Sequence, residues 1–332
     1  PLLMPGFWSD SANRVFLLRV TLSLGCLSGL LLSRKLWLST RAYPLTPVSE
    51  KLPFISPPFD WILFVAILVL LVMIAINVRP LILIATFLVV GLFLWLSDQS
   101  RLQPWFYQYA IMLAAFAFYP RNNPDEHNQR VLLNTCRLII AASYFWSGLQ
   151  KIGVGFTDRV FPSLINPYLN LIFGKVNLLP RPLILAIPLL EVGIGIGLLT
   201  RRFRKLSVLL ALMTHILILA LLIPLKRNSV VWPWNIAMAG FVFILFWQAS
   251  DFSMRDVLLP RKPGFQAFVI ILFLIMPLLS FVNLWDSYLS ASLYSGNIEA
   301  AVIDVSESAK QRLPAAIQTH VQQSRITNKL QI

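Results

Sequence analysis

Apolar residues in this chain come in long runs rather than in the narrow stripe of a soluble amphipathic helix. A helix crossing about 30 Å of hydrocarbon at 1.5 Å per residue needs about 20 mainly apolar residues. Roughly nine runs approach that length: 15–33, 61–78, 80–97, 103–119, 131–150, 182–200, 206–225, 231–249 and 265–285. The pattern predicts an all-α, polytopic integral membrane helix bundle of about nine transmembrane helices over 1–285, with a short polar extramembrane C-terminal tail over 286–332. The fourth run is the least apolar, because Gln103, Tyr107, Gln108 and Tyr109 make its first half polar, and only Arg79 and Pro80 separate the second run from the third. Between the runs, 34–60 is a loop rich in Pro and Ser, 120–130 (PRNNPDEHNQR) is a hydrophilic connection, and 152–181 is a mixed stretch in which an interfacial helix is expected. After Trp285 the composition turns to Ser, Gln, Asn and Thr, with short apolar patches such as Ala301-Val302-Ile303. No repeat recurs at a fixed period.

Composition agrees with this pattern. Apolar residues make up 57% of the chain and charged residues only 13%, against about 25% charged in soluble domains, and the mean hydropathy is +0.72. An ordinary water-soluble domain is excluded. The net charge of +14, from 28 Lys and Arg against 14 Asp and Glu, raises the question of nucleic acid. Its basic residues sit between apolar runs instead of clustering on a polar domain, so they read as flanks that meet anionic lipid, and no nucleic-acid partner is expected. The two densest basic loops, Arg201-Arg202-Phe203-Arg204-Lys205 and Arg255 to Lys262, are two runs apart and therefore share a side. Placing them in the cytoplasm puts the N-terminus inside and the tail outside, in a multi-pass protein of the inner (plasma) membrane. Arg34, Lys35, Arg41 and Lys51 then lie on the opposite side, against the bias. Cys26 and Cys136 both fall within apolar runs as small hydrophobes, with no disulfide framework and no CxxC pair. The segment after Arg14 reads as the first span and not as a cleaved leader, since no A-x-A-type site follows it.

An ionisable group inside a span is costly unless paired or wetted, which makes each one a functional candidate. Four stand out: Arg137, Lys151, Glu191 and His215. Arg137, Tyr144 and Lys151 are spaced by seven, nearly two helical turns, and so share a face, with Ser147 and Gly148 beside them. That face is one wall of a polar cavity, or else Arg137 and Lys151 end the helix and extend to the headgroups. Glu191 precedes Gly193, Gly195 and Gly197, a run suited to close helix packing rather than to phosphate. It serves either as a proton carrier or as the partner of Arg137 or another base. His215 is a neutral histidine bonded across helices, or a proton-relay or substrate-orienting residue. With only His127, His215 and His320, and no two near in sequence, no metal site is expected. In Trp232-Pro233-Trp234-Asn235 the tryptophans suit an interfacial belt or a ligand platform, and the Asn235 amide wants a partner. No Ser-His-Asp order, paired carboxylates or nucleotide motif argues for a hydrolase or ATPase.

The string Tyr144-Phe145-Trp146-Ser147-Gly148-Leu149-Gln150-Lys151, a polar stretch with aromatics, Glu191 leading a glycine-rich span, and His215 ahead of Trp232-Pro233-Trp234-Asn235 together resemble the HTTM family. This is the membrane domain shared by vitamin K-dependent gamma-carboxylase and many bacterial proteins, and the similarity covers about 130–250. The resemblance implies that Lys151 is the base acting on a reduced vitamin K or quinone-like lipid, a role open to an amine that accepts a proton. It further implies that His215 holds a quinol oxygen. The carboxylase continues into a large lumenal domain, whereas only residues 286–332 follow the last run here, so carboxylation of protein glutamates is not expected. Trp285-Asp286-Ser287-Tyr288 and Leu293-Tyr294-Ser295-Gly296-Asn297 look like a feature of the bacterial relatives, and a turn at Ser295-Gly296-Asn297 accounts for the latter. DoxX-like and MauE-like proteins have similar G-x-x-K helix ends, but they are commonly four-span units.

The leading expectation is a cavity among the fifth to eighth spans with Lys151, His215 and Glu191 as catalytic residues and Arg137, Tyr144, Trp234 and Asn235 in contact with a lipophilic ligand. Glu191 and Arg137 would be the charge partners of Lys151. The alternative is a non-catalytic accessory or assembly subunit whose polar residues pair with each other or with a membrane protein partner. A transporter is the third expectation, weakened by the lack of an inverted repeat.

Overall fold

The computed structural model describes residues 10–41, 44–53, 55–77, 80–119, 126–174, 179–260, 264–297, 304–319, 321–323 and 330–331. Arg79, Arg261, Lys262, His320 and the 301–303 patch lie outside them. Helices occupy every predicted run. They are α1 (Ser11–Leu32), α2 (Arg34–Trp37), α3 (Phe59–Ala75), α4 (Pro80–Leu96), α5 (Pro104–Phe118), α6 (Glu126–Gln150), α7 (Phe161–Phe173), α8 (Arg181–Leu199), α9 (Arg204–Leu222), α10 (Val231–Phe246), α11 (Met254–Leu258) and α12 (Phe265–Ile270).

Their ends follow local chemistry. Asp10 caps α1 by accepting from the Ala12 amide at 2.8 Å. Prolines open α5 and α8, where a missing N–H costs nothing, and Ser253 with Asp256 forms a capping box on α11. After α12 the chain continues as a π turn over Ile271–Ile275 and a 3-10 stretch over Met276–Val282. Pro277 lacks the N–H that an α-ladder needs, so the helix changes pitch around it. Within 152–181 lies a helix, α7, entered through a π turn at Phe156–Val160.

Four of these segments, Ser11–Leu32, Arg181–Leu199, Arg204–Leu222 and Phe265–Val282, are long and apolar enough to cross a membrane. Phe59–Ala75, Leu81–Leu96 and Val231–Phe246 are apolar but shorter. The outer faces carry large exposed hydrophobics, among them Ile62, Val65 and Val69 on α3 and Leu209, Met213 and Ile216 on α9. A surface of that extent has no place in water and suits lipid. By contrast, α6 is buried continuously from Leu132 to Ala142. It lies at the centre of the bundle, so neighbouring helices rather than lipid set its composition, and polar residues are tolerated there.

The crossing of α6 on α8 is built on glycine. A Cβ on Gly148 would stand 2.5 Å from Pro188 O, and one on Gly195 would stand 2.7 Å from Ala141 O. Of the remaining glycines in the predicted packing run, Gly197 is closed off by Ser207 and Gly193 faces open space.

At the end of the bundle where α10 stops, its terminal carbonyls are capped by arginines from three other helices. Arg14 donates to Ile244 O, and to Trp247 O at 2.8 Å; Arg137 donates to Leu245 O at 3.0 Å and Arg204 to Ala249 O at 2.5 Å. Arg137 also pairs with Asp251 at 3.0 Å, and Arg137 and Arg204 lie over the Phe252 ring at 3.9 and 3.7 Å. Cations at a helix C-terminus complement its dipole. At the opposite end, Arg41 pairs with Asp98 at 2.8 Å and Ser39 donates to Asp60. Beyond residue 303, two-residue strands form a small antiparallel sheet in the order Asp304–Val305, Leu330–Gln331, Gln322–Gln323.

Residues 286–297 depart from the predicted tail. They fold back onto the bundle, and Ser290, Ser292 and Ser295 are buried. The boundary drawn at 285 therefore cuts through a packed segment. Hydrogen bonds turned inward, such as Ser290 Oγ to Asp286 O at 2.8 Å, let a polar sequence pack where its composition suggests solvent.

Candidate functional site

Away from the arginine end, α6, α8, α9 and α10 surround a cavity of about 120 Å³, with α5, the α12 extension and the 286–297 segment closing it. A single water needs roughly 10–15 Å³, so the space takes several waters or part of a ligand. Tyr144 and Ser147 reach it from α6 and Lys151 from the turn that follows α6, Glu191 from α8, His215 from α9, and Trp234 and Asn235 from α10.

Two polar groups face this space. In the first, Lys151 Nζ donates to Glu191 Oε2 at 2.6 Å and to Ser147 Oγ at 2.7 Å, while Ser147 Oγ donates to the same Oε2 at 2.9 Å. Both charged side chains are about nine-tenths buried, 10% and 9% exposed. A pair this dry holds together only because each charge has a close counter-charge and a further hydrogen bond. In the second, His215 bridges Tyr144 and Asn235: Nε2 lies 2.5 Å from Tyr144 Oη and Nδ1 lies 2.8 Å from Asn235 Oδ1. The Asn235 amide nitrogen donates to Val231 O at 2.8 Å. Around them, the Trp234 indole donates to Gln108 Oε1 at 3.0 Å and Tyr107 stacks on Phe273 at 5.0 Å.

Six of the seven residues singled out from sequence thus meet on one cavity. Arg137 is the exception, and it is corrected. It shares a face of α6 with Tyr144 and Lys151, but fourteen residues at 1.5 Å each put it about 21 Å from Lys151 along the axis, at the arginine end. Its partner is Asp251, and the charge partner of Glu191 is Lys151. Two steps of seven keep the direction around the helix but add about four turns of depth along it, so a shared face does not make a shared site. Burial raises the Asp251 carboxyl pKa, but the ion pair and hydrogen bonds with Arg137 outweigh it and hold the group below the usual carboxylate range.

Sequence reasoning left the 286–297 segment without a role, and here it becomes a wall of the cavity through Tyr288, Leu289, Leu293 and Tyr294. It is fastened at three points. Gly296 (φ +79°) crosses Gly155 so closely that a Cβ on either would meet the other's backbone within 2.4–2.6 Å. Asn297 Nδ2 donates to Gln150 O at 2.5 Å, and Asn228 Nδ2 donates to Tyr294 Oη at 3.0 Å. Tyr294 itself adopts φ +61°, a conformation that bulky residues take only when their surroundings hold them there, and burial pushes its phenol up in pKa. The one sequence signal was the aromatic and glycine content of Leu293-Tyr294-Ser295-Gly296-Asn297. No family model, curated protein or solved structure matches this chain.

Proposed function

We propose that this protein is a multi-spanning membrane protein of HTTM type whose cavity binds a lipophilic, quinone-like molecule and takes a proton from its reduced form. Lys151 and Glu191 act together as the base. The Lys151 ammonium and the Ser147 hydroxyl both donate to Glu191 Oε2, so a proton arriving at the pair is taken by the carboxylate, leaving Glu191 neutral beside the Lys151 ammonium. Deprotonation of this kind makes a quinol easier to oxidise by an external electron acceptor such as dioxygen, which would take the electrons in turnover. Tyr144, held in place by His215 and Asn235, orients the head group, and Trp234 contacts it. The observation that carries this reading is the convergence of Lys151, Glu191, Tyr144, His215 and Asn235 from four helices on one cavity.

On this reading α1, α3, α4, α5, α6, α8, α9, α10 and the α12 segment are nine spans of the inner membrane, with the N-terminus cytoplasmic and the C-terminal region outside. Alternating helix direction supports it, since Arg14, Arg204 and Asp251 gather at one end and Gln150, Ser280 and Asn297 at the other. The Arg41–Asp98 ion pair neutralises one of the charges that runs against the positive-inside bias.

The test is to isolate the protein in nanodiscs, identify co-purifying lipophiles by mass spectrometry, and compare wild type with Lys151→Ala and His215→Ala. A quinone or polyprenyl lipid retained by wild type and lost from both variants is expected. Quinol turnover that survives Lys151→Ala overturns the assignment of the base.

A second reading has its own support. Lys151, Glu191, Arg137 and His215 each find a partner within the chain, as expected of an accessory or assembly subunit whose polar residues only hold helices together. That reading expects another membrane protein in stable ratio, no lipophile, and variants that change assembly instead of turnover.

A further inference from the structure

His215 has its two ring nitrogens committed to different partners, and the chemistry of those partners fixes where its proton sits. Asn235 Nδ2 donates to Val231 O at 2.8 Å, which turns Asn235 Oδ1 toward His215 Nδ1 at 2.8 Å. A carbonyl oxygen only accepts, so Nδ1 carries the hydrogen. In a neutral imidazole the other nitrogen is then an acceptor, and the group 2.5 Å from Nε2 is the Tyr144 hydroxyl. Tyr144 therefore donates to His215, and its oxygen lone pairs remain for something else. Both side chains line the cavity, and His215 is 6% exposed and Tyr144 4%.

We infer that Tyr144 and His215 form a proton-transfer pair for the ligand of this cavity, separate from Lys151 and Glu191, and that the ligand presents an ionisable hydroxyl to Tyr144 Oη. The inference rests on the ligand reading above and adds which residue touches the hydroxyl. The step balances without an oxidant. The ligand's O–H proton passes to Tyr144 Oη as the tyrosine's own proton passes to His215 Nε2, leaving the ligand an oxyanion, the tyrosine unchanged and the histidine an imidazolium. The new cation keeps both hydrogen bonds, Nδ1–H to Asn235 and Nε2–H to Tyr144, so no side chain has to reorient. The oxyanion forms in a cavity that also holds the Lys151 ammonium.

The tautomer is read directly by ¹⁵N magnetic resonance of histidine-labelled protein in nanodiscs, with the His215 signals identified by their loss in His215→Gln. In wild type without ligand, a protonated Nδ1 and an unprotonated, hydrogen-bonded Nε2 are expected. Tyr144→Phe should move the Nε2 signal toward that of a free imidazole nitrogen, and Asn235→Ala should shift the proton toward Nε2. A long-chain alkylhydroquinone then serves as probe, its binding followed by saturable quenching of tryptophan fluorescence. Bound probe should protonate both nitrogens of His215 in wild type, while Tyr144→Phe should bind probe more weakly and, read at saturating probe, leave the imidazole neutral. A proton on Nε2 in the unliganded wild type, or a neutral imidazole in wild type with probe bound, overturns the relay alone. If the probe does not bind, the ligand reading falls and the transfer step with it.

Discussion

At the end of the bundle where α10 stops, Arg14, Arg137 and Arg204 gather around one carboxylate, Asp251, and the helix's last carbonyls. At the other end Lys151 meets Glu191, and His215 meets Tyr144 and Asn235, around open space. Both ends bury charge, yet they differ in two ways. The arginine end uses groups that stay protonated at any working pH, and their donors are aimed at backbone carbonyls. The cavity end uses Lys, Glu, His and Tyr, all able to exchange a proton, on walls that leave room for another molecule. Buried charge marks both a fastening and a candidate site; exchangeable protons beside open volume separate the second from the first.

The largest expected effect tests that separation. Arg137→Met takes the donor from Leu245 O and from Asn134 Oδ1 and the ion pair from Asp251 at once, and each hydrogen bond to a charged group is worth about 1.5–3 kcal/mol. A fall in Tm or loss of folded protein in detergent is expected. The double variant Lys151→Met with Glu191→Gln removes both charges together, a change that is often nearly neutral, so it should fold with a Tm near wild type while losing the lipophile. A double variant as unstable as Arg137→Met would make the cavity pair a fastening too.

Next in size is the 286–297 segment. Gly296→Ala or Gly155→Ala forces apart two backbones in contact, and overpacking of this kind costs about 1–3 kcal/mol. Because the contact holds only this wall of the cavity, the expected result is roughly tenfold weaker hydroquinone binding, together with new proteolytic cleavage near Tyr294 and a bundle that still melts cooperatively. Unchanged binding would mean that the wall does not touch the ligand.

The helix inventory was legible because lipid-facing helices must be apolar along their length, and even the polar first half of 103–119 became a helix, α5. Lys151, Glu191 and His215 were legible because polar groups stand out in apolar runs. Depth is legible as well, since fourteen residues at 1.5 Å each set Arg137 about four turns from Lys151, and grouping the two by face alone passes over that separation. The partner of Arg137 was not legible, since Asp251 sits in a loop where an acid attracts no notice. The cavity wall at 286–297 was hidden because its polarity is satisfied inward, by Ser290 on Asp286 and Asn297 on Gln150, and composition alone cannot show which way a serine faces.

A smaller effect separates glycines that touch from glycines that do not. Gly195 meets the α6 backbone and Gly193 meets nothing within 4 Å. Gly195→Ala should lower stability by about 1–3 kcal/mol, whereas Gly193→Ala should raise it by up to about 1 kcal/mol through helix propensity. Thermal melts of the two variants side by side check this, and equal effects would deny the α6–α8 crossing.

The smallest effect concerns acid, and it sets Asp251 at one end against Asp98 at the other. Burial raises the Asp98 carboxyl pKa, but the Ser100 hydrogen bond, the Arg41 ion pair and the Thr46 hydroxyl outweigh it and hold the group below the ordinary carboxylate range, as Arg137 does for Asp251. A carboxyl whose folded value is depressed contributes stability that is fully present above its unfolded value, near 4, and is lost as pH falls through the folded value. Tm should therefore be level with respect to these two groups from neutrality down to about pH 5 and decline below about pH 4. Asp98→Asn and Asp251→Asn should each start lower than wild type at pH 7, and the gap should narrow on acidification as wild type loses the same contribution. The window is narrow and Asp251 is 23% exposed, which screens its pair, so its gap should close less steeply than that of the fully buried Asp98. A gap that stays constant to pH 3 for both variants would show that neither carboxylate is held by its arginine, and the contrast between a fastened end and a reactive one would then rest on the cavity alone.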